Sequence, residues 1–549
     1  MSELPGQGAT APPFTLPDTS NHRHSFKDLS EHPATLLFFV KRDCATCDLT
    51  APVVERLFAA LASSGLNVLT ISQSNTADTS GFAAVHKLSM PVVLDHDLEV
   101  SEAYGFDAVP ALVLIASDRT VLKSFEGWSK HDFHELVTIA ANRCHIVPPA
   151  TWEVHNETLP EQRPGCASRV HDPDQAQRLA VKRGEDRLAS RRVRLPSSLN
   201  EDEFELLSNR GLTDGLPVVP PTEARVLRML DGTSRTATDV VARVPPNLHP
   251  ATVEKIAINA VMAGCRPSYL PVVLAAVEAA CTDTFNLHGV LATTYFASPV
   301  IIVNGPIRHE IKINSGRNVF GQGSRANATI GRALQLVVRN LGGGRPGQVD
   351  MSTLGHPGKY TCCIGEYEEA SCWDPLHVER GFAPTQSTVT LFAGEAPSAV
   401  RDQRSRSARS LATSLGLSLG AVSHVKLHGM SEVLLVVSPE HNQTFQRDGY
   451  TKNDVRARIQ EVTARPVQEL LPDEMCEDGT PLPALPADWI GVDGQPKEDA
   501  LTRQFPKFLS PENIVIVVAG GTAGKFSAVV GGWAAGGEGS TAVTKEIIQ

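Results

Sequence analysis

Cys44 and Cys47 stand three residues apart in Asp43-Cys44-Ala45-Thr46-Cys47. That spacing suits thiol–disulfide exchange: the first thiol attacks, and the second can resolve the mixed disulfide that forms. The pair follows the apolar run 34–40 and precedes residues 52–61, where Val53, Val54, Leu57, Phe58 and Leu61 recur at helical spacing. A thiol where a strand hands over to a helix lies in the positive field of the helix N-terminus, which favours the thiolate. A zinc site would need a second ligand pair at suitable spacing, and none lies nearby.

A second chemistry-rich stretch runs from His356 through Cys362, Cys363 and Glu366 to Cys372 and His377. Adjacent cysteines form a strained disulfide at best. On a strand they face opposite sides, so one of them would line a pocket. Three readings stay open. Cys362 and Cys363 are inert core thiols. One of them is a nucleophile, with Glu366 or His356 moving the proton. Or Cys362, Cys363, Cys372 and His377 hold a metal ion, the one cofactor considered, although their spacing matches no common zinc pattern.

Two glycine-bearing segments read as ligand loops. Asn304-Gly305-Pro306 ends the apolar run 299–303 and leads to Arg308, His309 and Arg317, where α/β sheets often place ligands. Residues 518–527 follow a second apolar run and offer backbone N–H groups and Lys525 to an anion. Ala519 and Phe526 break the phosphate-loop pattern. Asn304, Arg308, His309, Arg317, His356 and Lys525 are the expected substrate-binding residues.

The elements that must position these groups alternate between buried strands (34–40, 66–71, 111–115, 121–125, 299–303, 433–437 and 514–519) and helices (52–61, 131–142, 250–263, 270–282 and 328–340). That alternation predicts an α/β fold. The expected organisation is a first domain over 1–145, a charged, proline-rich linker over 146–211 with an arginine-dense run at 178–194, and a larger α/β domain of unidentified topology over 212–549. The larger domain is expected to be catalytic, with two subdomains or a diverged internal duplication as options.

Residues 5–143 resemble the thioredoxin superfamily, in the branch of disulfide reductases and peroxiredoxin-like proteins. The likeness rests on the apolar strand, Cys44-Ala45-Thr46-Cys47, the helix with Pro52, and Val109-Pro110 before a strand. It implies a thioredoxin-like fold, with Cys44 as the attacking thiol, Cys47 as the resolving thiol and Pro110 as a cis proline beside them. The chain departs at Asp43, where tryptophan is usual, and a neighbouring carboxylate is expected to raise the Cys44 pKa. The peroxiredoxin pattern Pro-x-x-x-Thr-x-x-Cys is absent before Cys44. Residues 514–530 resemble a bacterial group named after a selenocysteine-Gly-Ser-Cys motif. Thr522-Ala523-Gly524-Lys525 stands there without cysteine, so no redox residue is carried over.

The 549 residues carry a net charge of −11, with 42% apolar and 20% charged residues. A pI near 5.9 argues against a general nucleic-acid binder. No apolar run reaches the ~18 residues of a membrane helix, and residues 1–15 lack a secretory pattern. A cytoplasmic protein with no membrane partner is therefore expected, in which the clustered members of its ten cysteines are read as redox, catalytic or metal-binding groups and Cys265 and Cys281 as core. The expected activity is that of a thiol-dependent enzyme. Its C-terminal cysteines act on a small substrate, and the front Cys-x-x-Cys recycles them, drawing on a cellular thiol reductant. A thiol-dependent lyase for carbon–heteroatom or carbon–metal bonds and a non-enzymatic metal-handling or redox-sensing protein are the alternatives. An oligomer is compatible with either.

Overall fold

Seven consecutive residues, Ala34–Val40, are buried on both faces of a strand, as their unbroken apolar run requires. In the computed structural model this strand is the centre of a five-stranded sheet. Its order is Val92–Leu94, Leu66–Ser72, Ala34–Val40, Ala111–Ala116 and Val121–Glu126. The first three strands are mutually parallel, Ala111–Ala116 runs antiparallel to them, and Val121–Glu126 runs antiparallel to Ala111–Ala116. The helix Ala45–Leu61 starts beside the sheet immediately after the central strand, and Lys130–Arg143 closes the element order. Phe39 packs on Tyr104 and Phe106 at centroid distances of 5.1 and 4.7 Å.

The structure describes residues 4–147, 159–172, 175, 176, 179, 187–192, 202–429, 431–472, 485–534 and 539–549. The chain divides into two compact units, Met1–Arg192 and Val193–Gln549. The arginine-dense run falls largely outside the described residues. Part of the stretch expected as a linker belongs to the first unit: Gln162–Arg163 pairs with Trp128–Ser129, and Cys166–Ala167 pairs with Ala108–Val109.

The second unit is built on a mixed sheet of eight strands. Ser298–Asn304 pairs parallel with Cys363–Gly365 and antiparallel with Thr388–Gly394. Ser431–Val437 repeats the pattern, parallel to Ile514–Val518 and antiparallel to Phe526–Ala534. Helix Arg325–Val337 connects the parallel pair in the first half, and Lys452–Thr463 lies between the parallel strands of the second. Helices Leu270–Ala280 and Ala408–Leu419 precede the two halves. The connectivity is that of an internal duplication whose halves meet where Gly394 pairs with Gly532. A Cβ on Gly532 would stand 2.4 Å from the Glu432 carbonyl oxygen, so this junction needs glycine. The edge strands also meet, because the Tyr367 N–H donates to the Val518 carbonyl at 2.7 Å. Val300, Ile302, Ile364, Phe392, Leu434, Val436, Val515, Val517 and Val530, drawn from all six of these strands, form one apolar cluster inside the curled sheet.

The α/β expectation holds for both units. The run read as helix from 52 begins at Ala45, so Cys47 lies inside the helix and Cys44 caps it. Phe526–Ala534 is a strand, although its Gly531-Gly532 pair hides it in the sequence. Among the described residues no single helix is long and apolar enough to cross a membrane.

Gly331 sets how closely helix Arg325–Val337 approaches Thr361 and Cys362. A Cβ there would stand 2.5 Å from Thr361 Oγ1 and 2.8 Å from the Cys362 nitrogen. In an open helix Gly→Ala gains about 1 kcal/mol. Gly331→Ala is expected to do the reverse and lose about 1–3 kcal/mol through overpacking, as read from urea denaturation.

Candidate functional site

Cys44 is the N-cap of its helix. Its backbone is extended, and its sulfur accepts the Cys47 N–H at 3.2 Å. The same sulfur lies 3.3 Å from the Val109 carbonyl oxygen, beside the Val109–Pro110 peptide bond, which is cis. The Cys44 thiol is pulled down to about 5. The hydrogen bond from the Cys47 thiol does most of this, and burial opposes it. A hydrogen bond from Cys166 and the N–H groups of Cys47 and Thr46 add to it. Cys47 moves the other way, well above its ordinary value, through burial and then the Cys44 charge. One thiol is thus prepared to attack and the other is held protonated until it is needed.

The expectation for Asp43 is overturned. Burial pushes its carboxyl up, but the guanidinium of Arg169, 3.2 Å away, outweighs that and holds it below its ordinary range. The Asp43 charge is spent on that pair, and the Cys44 pKa falls instead of rising.

The sequence reading missed what lies across this site. Residues 160–172 form a strap. The Trp128 indole N–H donates to the Pro160 carbonyl at 2.8 Å, and the Thr46 hydroxyl to the Pro164 carbonyl at 2.8 Å. Lys41 Nζ donates to the Ala167 carbonyl, and Gln73 Nε2 to Ser168 Oγ, each at 2.8 Å. Cys166 stands opposite Val109 and packs against the core that contains Cys44 and Cys47. Gly165 was the available signal, since its place in a proline-flanked segment marks close backbone approach.

In the second unit, burial decides the state of the thiols. Cys362 is pushed up to about 12, and Cys363 well above its ordinary value, by burial first and by Cys362 and Cys265 after it. His356 stands near Cys362: a Cβ on Gly358 would lie 2.6 Å from the His356 ring and 3.6 Å from the Cys362 Cβ. The His356 ring accepts from the Gly358 N–H at 3.2 Å and lies 3.3 Å from Ser298 Oγ. Burial lowers its pKa. Cys372 lies elsewhere, its N–H donating to Asn442 Oδ1 at 2.9 Å. His377 is fully buried, with neither ring nitrogen hydrogen-bonded among the described residues. No group of three or more His, Cys, Asp or Glu among the described residues is arranged to hold a metal ion. The metal set Cys362, Cys363, Cys372 and His377 therefore does not form, because the loop after Glu366 carries Cys372 away to Asn442.

Glu366 joins Asn304 and not the cysteines. Its Oε2 accepts from Asn304 Nδ2 at 2.6 Å and from the Leu376 N–H at 2.8 Å. Burial raises its pKa. Its Oε1 and Asn304 Oδ1 have no partner among the described residues. A buried carboxyl with a raised pKa beside a free amide oxygen can exchange a proton or hydrogen-bond a small polar ligand. Arg308 is committed internally, to the Gly305 and Glu366 carbonyls and to Glu368 and Glu369. His309 is exposed and pairs with Glu369 at 2.9 Å. The two glycine-bearing loops do meet. The Gly520 N–H donates to the Ser315 carbonyl at 2.8 Å, and a Cβ on Gly521 would stand 3.6 Å from that of Arg317. Lys525 follows Gly524, whose N–H donates to Glu440 at 2.5 Å.

Two outcomes follow. In the reduced protein, the thiolate ultraviolet absorbance that Cys44→Ser removes is expected to appear as pH rises through about 5. An ordinary thiol would show it near ~8.5. At Glu366, Gln keeps an acceptor for the Leu376 N–H and is expected to be near neutral, whereas Ala orphans that N–H and loses about 1–3 kcal/mol. Denaturation of both variants at neutral pH checks this.

Residues 7–124 match the family model described as the AhpC/TSA family. Thiol-disulfide oxidoreductase ResA of Bacillus subtilis is 28% identical over 137 residues, which is 24% of this chain and 75% of that protein. ResA of Geobacillus thermodenitrificans is 27% identical over 121 residues, 22% of this chain and 69% of that protein. Among solved structures, a putative thiol:disulfide interchange protein DsbE from Chlorobium tepidum aligns at 22% identity. It covers 26% of this chain and 99% of that one, with a TM-score of 0.24. Peroxidoxin BcpB from Mycobacterium tuberculosis aligns at 20% identity over 26% of this chain and 97% of that one, with a TM-score of 0.23. With Cys44 and Cys47 set at a helix N-terminus beside Val109-Pro110, the front of this chain is a thioredoxin-like domain, similar over residues 7–124 to the AhpC/TSA family and to thiol–disulfide oxidoreductases.

Proposed function

We propose that the protein catalyses thiol–disulfide exchange at Cys44 and Cys47, and that the second unit contributes a small-molecule site at Asn304 and Glu366. The observation that carries the exchange reading is the division of labour between the two thiols. Cys44 is a thiolate at a helix N-terminus, and Cys47 is a buried, protonated neighbour whose hydrogen bond stabilises it. The Cys44 thiolate attacks a substrate disulfide, releasing one substrate thiol and leaving a mixed disulfide. Cys47 loses its proton and attacks Cys44, releasing the second substrate thiol and closing the Cys44–Cys47 disulfide. A dithiol reductant returns the pair to its starting state.

A finer version has Cys362 or Cys363 acting on the small substrate and being recycled by Cys44 and Cys47. Burial speaks against it, because both back thiols are held protonated and neither shares a hydrogen bond with Glu366. A peroxidase reading draws on the AhpC/TSA match. It lacks the Pro and Thr of the peroxiredoxin pattern, since Leu37 and Lys41 occupy those places before Cys44.

The test is turnover of a model disulfide by the full-length protein with a dithiol reductant, followed beside hydrogen peroxide consumption. Cys44→Ser is expected to abolish disulfide turnover, whereas Cys362→Ala and Cys363→Ala are expected to keep the parent rate. Loss of turnover in folded Cys362→Ala or Cys363→Ala, with Cys44→Ser still active, would overturn the proposal.

A further inference from the structure

Among the described residues outside the Cys44–Cys47 pair, one thiol is placed against the reactive sulfur itself. Cys166 lies in the strap 160–172, on a two-residue strand antiparallel to Ala108–Val109, with Cys166 directly opposite Val109. The Cys44 sulfur is 3.3 Å from the Val109 carbonyl oxygen, so both cysteines converge on one residue. Cys166 also packs against the core cluster that includes Cys44, Cys47 and Val109. It is only partly buried, whereas Cys44 is 1% exposed and Cys47 fully buried.

The strap is fixed along its whole length. The Lys130 N–H donates to the Glu161 carbonyl at 2.9 Å, and the Ser168 N–H to the Asp107 carbonyl at 2.8 Å. The Arg169 N–H donates to Gln73 Oε1 at 3.0 Å, and the Arg169 guanidinium pairs with Asp43, the residue before Cys44. Two glycines let the backbones approach. A Cβ on Gly165 would stand 2.8 Å from the Val109 carbonyl oxygen and 2.8 Å from the Ala108 Cβ. A Cβ on Gly127 would stand 2.8 Å from the Arg163 carbonyl oxygen. Side chains, backbone pairing and glycine placement all hold the segment so that Cys166 faces the redox pair.

We infer that Cys166 is a third redox cysteine, a second resolving thiol for Cys44 alongside Cys47. The step starts from the mixed disulfide between Cys44 and a substrate thiol. Cys166 gives up its proton and its sulfur attacks Cys44 Sγ. The Cys44–Cys166 bond forms as the bond from Cys44 to the substrate sulfur breaks, and the substrate leaves as a thiolate that takes up a proton. One disulfide is present before and after, and no further oxidant or reductant enters. The Cys44–Cys166 disulfide pins the strap over the site and leaves Cys47 as a free thiol. Attack by Cys47 on Cys44 then moves the bond to Cys44–Cys47 and returns Cys166 to its thiol, so the three cysteines share one oxidising equivalent. Tethering places Cys166 at an effective concentration in the millimolar range, which lets it compete with outside thiols.

This inference rests on the exchange chemistry proposed for Cys44, and the experiment separates the two. Full-length Cys47→Ala is mixed with oxidised glutathione, quenched in acid, alkylated and mapped by peptide mass spectrometry. The glutathione adduct at Cys44 is expected to be transient and to give way to a Cys44–Cys166 peptide pair. In Cys47→Ala/Cys166→Ser the adduct is expected to last ~10-fold longer or more. Gly165→Val keeps every thiol and crowds the strap off Val109. Added to Cys47→Ala, it is expected to lengthen the adduct lifetime toward that of the double cysteine variant, and it covers the case in which Cys166→Ser disturbs folding. An adduct equally long-lived with and without Cys166, and Cys166 recovered alkylated, overturns the inference and leaves exchange at Cys44 standing. No adduct at Cys44 in any variant overturns both.

Discussion

The charge on one sulfur organises the first unit. Cys44 sits where the central strand ends and the helix begins, and backbone N–H groups together with two neighbouring thiols turn toward it. Burial alone would make the thiolate unfavourable. Hydrogen bonds from Cys47, Cys166, and the N–H groups of Cys47 and Thr46 outweigh it. The nearest acidic side chain, Asp43, is tied to Arg169 and so adds little repulsion. The strap matters to this balance because it brings Arg169 and Cys166 to the site together. A segment that composition marks as linker thereby acts on the chemistry of the domain before it.

The second unit shows the same physics with the opposite result. Burial pushes the Cys362 and Cys363 thiols up, and for Cys363 the neighbouring thiols of Cys362 and Cys265 add to it. Burial also raises the pKa of the Glu366 carboxyl, which ties Asn304 at the end of one strand to the Leu376 N–H beyond the next. Glu368 holds the same turn from outside, accepting from Asn304 Nδ2 at 3.0 Å and from the Gly305 N–H at 2.8 Å. The turn after Ser298–Asn304 is thus shaped by two carboxyls, one buried in the curled sheet and one at its rim.

Duplication explains why the back half resists reading. Each half supplies three strands, and the second half also has an apolar cluster of its own between its sheet and its helices. A further cluster draws on all six strands at once. Gly394 and Gly532 mark where the halves join, and the lack of side chains there serves close approach of the backbones. Phe526–Ala534 pairs with Ser398–Arg401 and Ser431–Val437 at once, so its place in the sheet comes from partners that a local pattern cannot reveal.

The sequence by itself determined the α/β class, the strand at 34–40, the helix that follows it and the Cys44–Cys47 pair, because apolar periodicity and residue spacing are local properties of the chain. Val109-Pro110 was legible for the same reason. Only the tertiary structure decided which thiols ionise. That depends on burial and on donors brought from far along the chain, as when Thr46 meets Pro164 across 118 positions or Asn304 meets Glu366 across 62. Cys362 and Cys363 looked reactive as a list of residue types, and burial raises the pKa of both thiols. Cys166 lies in the stretch that composition marks as linker, and backbone pairing to Val109 sets it beside Cys44.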